Sequence, residues 1–172
     1  MTCQAQQYLT RPPEQLVVRG YRHWLSGCAT GSVDHWNAAW SLYSGHLGSR
    51  NGRLAISGLS NFIGTLGRCS TCPLRFFPSE TDCVCRDECL VLGLIAGIQC
   101  SDDEAQQCAL AGLACPLRRE EVMAEAGEFA LILKSFGQTL LPIPAHAIAD
   151  IIVKSSVLPP ETPEANDNPT YH

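Results

Sequence analysis

Residues 90–98, Leu-Val-Leu-Gly-Leu-Ile-Ala-Gly-Ile, form the longest uncharged apolar stretch of the chain, and their reading decides the fold. Such a run falls far short of the ~20 apolar residues that a membrane-spanning helix needs. With Asp87 before it and Gln99 after it, the run predicts a helix over about 87–99 that is apolar nearly all round. A helix without a polar face belongs at the centre of a fold.

Toward the C-terminus, Ser101-Asp-Asp-Glu104 has the spacing of a capping box, with extra acid at the positive end of the helix dipole, and opens a helix over about 102–114. Pro116 permits another start, and Val122, Phe129, Leu131, Ile132, Leu133 and Phe136 mark an amphipathic helix over roughly 117–136 that Gly137 stops. Leu140-Leu-Pro-Ile-Pro144 is expected to be extended, because a residue before proline is pushed out of the helical region. A last helix is predicted over about 145–155. The proline-rich, acidic residues that follow predict a disordered tail over 157–172.

Toward the N-terminus, Thr10 followed by Pro12, Pro13 and Glu14 reads as a helix start, and Leu16, Val17, Tyr21, Trp24 and Leu25 recur at helical spacing until Gly27. The first helix is predicted over 13–26. A second, capped by Ser32 or Asp34, carries Trp36, Trp40, Tyr43 and Leu47 on one stripe and runs to Gly45 or His46. Asn51-Gly52 is read as an interruption, after which Leu54, Ile56, Leu59, Phe62, Ile63 and Leu66 predict a third helix ending near Gly67. No convincing period-2 strand pattern and no internal repeat is found. The fold expected is all-α, an irregular helical bundle of about six to seven helices with a central cysteine-rich loop. Residues 1–156 are expected to form one helical domain, with the metal-binding loop at 68–89.

That loop, with Pro73 and Pro78, reads as a segment organised by something other than apolar packing. A long structureless insertion inside a compact domain is itself a reason to look for what ties it down. It holds Cys69-x2-Cys72-Pro73, then ten residues, then Cys83-x-Cys85 and Cys89. The N-terminus, MTCQAQQYLTRPP, has no basic start followed by an apolar region, so a cytoplasmic location is expected. In a reducing compartment, clustered thiols bind metal or do redox work more often than they pair.

A Cys-x-x-Cys turn points two sulfurs at one ion. Cys85 and Cys89, at i and i+4, would share a helix face. Cys83 and Cys85 would stand about 200° apart on that helix, so both could serve one ion only if Cys83 precedes it. The candidate metal ligands are therefore Cys69, Cys72, Cys83, Cys85 and Cys89. The expected set is Cys69, Cys72 and Cys89 with either Cys83 or Cys85, around zinc or an iron–sulfur cluster. Cys100, Cys108, Cys115, Cys3 and Cys28 are read as small hydrophobes or isolated thiols.

Charge divides along the chain. Residues 1–75 carry seven arginines against Glu14 and Asp34, whereas the remainder carries five basic and fifteen acidic side chains. Such polarity could steer an anionic partner to the N-terminal half; the favoured reading is that the two halves complement each other within the fold or a dimer, with the arginines on solvated helix faces. The net charge of -5 counts against tight nonspecific DNA binding, which rests on many phosphate contacts. His35 and His46 would stand about 16 Å apart, too far for one ion. Glu120, Glu121, Glu125 and Glu128 are expected to line a solvated face. No nucleophile elbow, HExxH, kinase or dinucleotide fingerprint occurs, so no catalytic residue is expected. The function expected is a regulatory or adaptor protein with a cysteine-ligated metal centre used for redox or metal sensing. A protein partner is expected first and nucleic acid second, with no membrane. The alternatives are an enzyme using the cysteines for redox or sulfur chemistry, or an interaction module with a purely structural zinc.

Overall fold

A computed structural model describes residues 9–69 and 73–157. Of the tail expected over 157–172, Val157 is instead the last residue of the final helix, and the rest lies outside the described residues. Among the described residues the chain is all-α, with helices α1 (Pro12–Thr30), α2 (Val33–Cys69), α3 (Arg86–Cys100), α4 (Asp103–Leu113), α5 (Arg119–Ser135) and α6 (Ala145–Val157), and a 3-10 turn at Pro116–Arg118. No described helix is long and apolar enough to cross a membrane.

The central position expected for the 90–98 stretch is met. Leu90, Val91, Leu92, Leu94, Ile95 and Ala96 are buried, and α3 packs on α1, α4, α5 and α6. α1 and α2 form a helical hairpin, and α2 packs in turn on α5 through Phe62, whose ring stacks on Phe129 at 6.3 Å. Tyr43, from the aromatic stripe, is fully buried and donates its hydroxyl to the Leu16 carbonyl at 2.8 Å.

Three helix boundaries differ from the sequence reading, each for a local reason. α1 does not stop at Gly27. It continues to Thr30 and ends on Gly31 in the left-handed region. Gly27 instead admits Trp36, since a Cβ there would lie 2.5 Å from the indole nitrogen. The break expected at Asn51-Gly52 falls at Gly48, whose φ of 78° and ψ of 164° kink α2. Only glycine adopts that backbone without strain. α4 is capped by Asp102, which accepts the Ala105 N–H at 3.0 Å. Ser101 is the left-handed cap that ends α3.

The extended Leu140–Pro144 segment is held by buried polar side chains. Gln99 donates to the Ala130 and Gln138 carbonyls and accepts the Leu140 N–H. Glu14 accepts the Leu141 N–H at 2.8 Å and the Arg11 guanidinium at 2.6 Å.

Candidate functional site: the cysteine loop and its arginine hub

The segment between α2 and α3 is tied down by a guanidinium. Arg22 leaves α1 on the same face as Val18 and is almost fully buried. Its Nε donates to Glu88 Oε1 at 2.7 Å and its Nη2 to Glu88 Oε2 at 3.0 Å, a bidentate pair of the kind only arginine makes. The remaining N–H groups reach the loop backbone: Nη1 donates to the Thr81 carbonyl at 2.6 Å and the Ser79 carbonyl at 3.4 Å, and Nη2 to that of Cys83. Arg22, expected on a solvated face, is thus a buried hub.

Glu88 and Asp87 complete the fastening from the α3 side. Glu88 accepts the N–H of Phe77 at 3.0 Å and of Cys85 at 2.9 Å. Asp87 accepts the N–H of Arg75 at 2.8 Å. The Arg75 carbonyl takes the Tyr21 hydroxyl at 3.2 Å and the Cys85 thiol at 3.3 Å. Residues 75, 77, 79, 81, 83 and 85 therefore each turn a backbone polar group inward, across a turn that the Thr81 N–H closes on the Pro78 carbonyl at 3.0 Å. Buried backbone groups require partners, and here two helices supply them from the Tyr21-Arg22 and Asp87-Glu88 dipeptides. Outside the hub, the Ser79 hydroxyl lies 3.2 Å from His23 Nδ1, and the His23 ring stands 6.3 Å from that of His35.

The electrostatics follow from burial. The Tyr21 hydroxyl is held well above its usual pKa, first by desolvation and then by Asp87, Cys85 and Glu88. The Cys85 thiol is pushed up to about 11, first by desolvation and then by the Glu88 carboxylate. His23 is lowered, chiefly by burial and then by His35, with Glu80 opposing.

Of the five candidate ligands, Cys72 lies outside the described residues, and Cys69 enters only through its backbone, as the last residue of α2. The condition set for Cys83 is met, since α3 begins at Arg86 and Cys83 precedes it. Cys85 occupies the N-cap of α3 in a reciprocal capping box with Glu88, and Cys89 stands one turn in, its N–H on the Cys85 carbonyl at 3.0 Å. Among the described residues, no three His, Cys, Asp or Glu side chains converge as a metal-holding group. Of the other cysteines, Cys28 and Cys100 are exposed, whereas Cys108 and Cys115 pack against the core. The chain matches no family model, no curated protein and no solved structure.

Arg22, Glu88 and Asp87 are the residues that sequence reasoning missed. Signals pointed to two of the three: Arg22 falls on the apolar stripe of its helix, four residues after Val18, and Cys85-x-x-Glu88 has capping-box spacing with sulfur in place of a hydroxyl.

Proposed function

We propose that the chain is a regulatory or adaptor protein whose loop holds one thiolate metal centre, zinc or iron–sulfur, through Cys69, Cys72, Cys83 and Cys89. The choice of Cys83 over Cys85 rests on geometry. Cys85 is engaged as the helix cap, and its thiol donates a hydrogen bond to the Arg75 carbonyl. Cys83 is presented ahead of the helix, with its carbonyl gripped by Arg22.

A centre made of four thiolates is closed to substrate, which favours a structural or sensing role over catalysis. One observation favours sensing. The Arg22–Glu88 hub gives the backbone of residues 75–85 protein partners of its own, a fastening made without an ion. Gain or loss of the centre would then act on the end of the loop that carries Cys69 and Cys72 and leave the helices in place, as a device read by a protein partner requires.

The test is the double variant Cys69→Ser/Cys72→Ser, prepared without air beside the wild type. The expected outcome is loss of bound zinc or iron with helicity retained and the proteolysis pattern of the loop altered. Collapse of the helical signal on metal removal would instead mark a purely structural centre. Absence of stoichiometric metal from the wild-type protein would overturn the reading.

A further inference from the structure

A cavity of about 520 Å³ opens beside the loop, lined on one side by Pro73, Leu74 and Arg75, on another by Arg86 and Asp87, and on the third by Ala111–Pro116 and Arg119. Its volume falls in the range that takes small organic molecules. Its charge is the distinctive feature, because three arginines and one aspartate line it. That carboxylate is already engaged: Asp87 Oδ1 accepts from Arg86 Nη1 at 2.7 Å, and Oδ2 takes the Arg75 N–H at 2.8 Å.

Two of the three arginines are set in place by backbone carbonyls at the end of α4. Arg86 Nη2 donates to the Gly112 carbonyl at 3.2 Å, and Arg119 Nε to that of Ala114 at 3.3 Å. Each of these contacts uses one edge of its guanidinium and partly offsets the negative helix end there. The Arg75 side chain is exposed and enters no ion pair among the described residues. Arg75 and Arg119 thus line one cavity without an ion pair among the described residues, and a guanidinium's planar fork is the donor geometry that matches carboxylate and phosphate oxygens. Leu74, Leu113 and Pro116 supply apolar walls beside them.

We propose that this cavity is a binding site for a small organic oxyanion, a phosphate ester or carboxylate, whose charged end is held by Arg75 and Arg119 and whose apolar body lies on Leu74 and Leu113. The site borders the loop that carries the thiolates, since Pro73 follows Cys72 directly, but its ligand is held by arginines and its test involves no metal.

Calorimetric titration of the full chain with inorganic phosphate, phenyl phosphate and benzoate supplies the test. Saturable binding is expected, stronger for a phenyl ligand than for inorganic phosphate, with the better of phenyl phosphate and benzoate fixing the headgroup. Arg75→Ala and Arg119→Gln should each weaken it by tenfold or more, whereas Arg53→Ala, on the exposed face of α2, should leave it unchanged. Arg75→Ala removes only an exposed side chain, so its thermal midpoint should match the wild type, which separates lost binding from lost fold. No saturable binding of any probe, or binding that survives both variants, would overturn the site. Equal affinity for phenyl phosphate and inorganic phosphate would overturn the assignment of an organic body.

Discussion

Replacing Arg22 by methionine probes the hub most severely, because it removes the charge while keeping much of the apolar stem. In the wild type, Glu88 receives two guanidinium donors and two backbone N–H groups, and Arg22 in turn holds the carbonyls of Ser79, Thr81 and Cys83. The variant leaves Glu88 as a buried charge with only its two amide donors and strands the loop carbonyls. Breaking a buried ion pair by deleting one partner costs ~3–5 kcal/mol. Loop carbonyls that can relax toward water add less than the ~1–3 kcal/mol of a fully stranded group. A loss of about 4 kcal/mol lies within the ~5–15 kcal/mol of a typical domain, so the variant should fold, with a midpoint lowered by on the order of 10 °C.

Urea and thermal unfolding read the global effect, and limited proteolysis between residues 75 and 85 reads the local one. Adding Glu88→Leu should recover part of the loss, since the second change removes the uncompensated charge. A loss under ~1 kcal/mol, with the loop as protease-resistant as in the wild type, would refute the assignment of Arg22 as the element that fastens it.

Three further outcomes are expected. Gly27→Ala should destabilise by ~1–3 kcal/mol through overpacking despite its gain in helix propensity, because its Cβ would meet Trp36. Denaturant midpoints and the fluorescence of the Trp24–Trp36 pair, 6.2 Å apart, check this against Gly127→Ala, whose Cβ would enter open space. Tyr43→Phe should cost ~0.5–1.5 kcal/mol, the net value of one buried hydrogen bond, measured by urea unfolding. Because the folded pKa of His23 lies below its ordinary 6.5, the unfolded chain takes up this proton first as pH falls. His23 should therefore leave stability intact above pH ~6.5 and reduce it as the pH drops through the folded pKa. His23→Gln should flatten that part of the stability–pH curve, and an unchanged slope would refute the assignment.

How much of this was legible in the sequence depended on the kind of interaction. The apolar 90–98 stretch announced both its helix and its place, because a helix with no polar face has only the interior to occupy. The helix-period stripes of α1, α2 and α5 were legible for the same reason. Glycines misled where their role was close approach rather than turn: Gly27 looks like a stop but makes room for an indole, and the kink falls at Gly48, one turn ahead of the more obvious Asn51-Gly52. The hub was hardest to see. Arg22 and Glu88 are separated by 66 positions, and only folding brings them together. That the cysteine loop must be fastened was legible, but that a guanidinium fastens residues 75–85 was not, since the place of Arg22 on an apolar stripe marks burial without naming the partner it meets.

The assignment of Cys83 rather than Cys85 to the metal centre is tested most directly by X-ray absorption at the metal edge of the anaerobically purified chain, compared across wild type, Cys83→Ser and Cys85→Ser. For zinc, the account predicts four sulfur neighbours at ~2.3 Å in the wild type and in Cys85→Ser, and a sulfur lost in Cys83→Ser; for an iron–sulfur cluster, the same variant alone should change the cluster's ligation. A sulfur shell that shrinks in Cys85→Ser and stays whole in Cys83→Ser would contradict it, as would a wild-type protein with no metal edge at all.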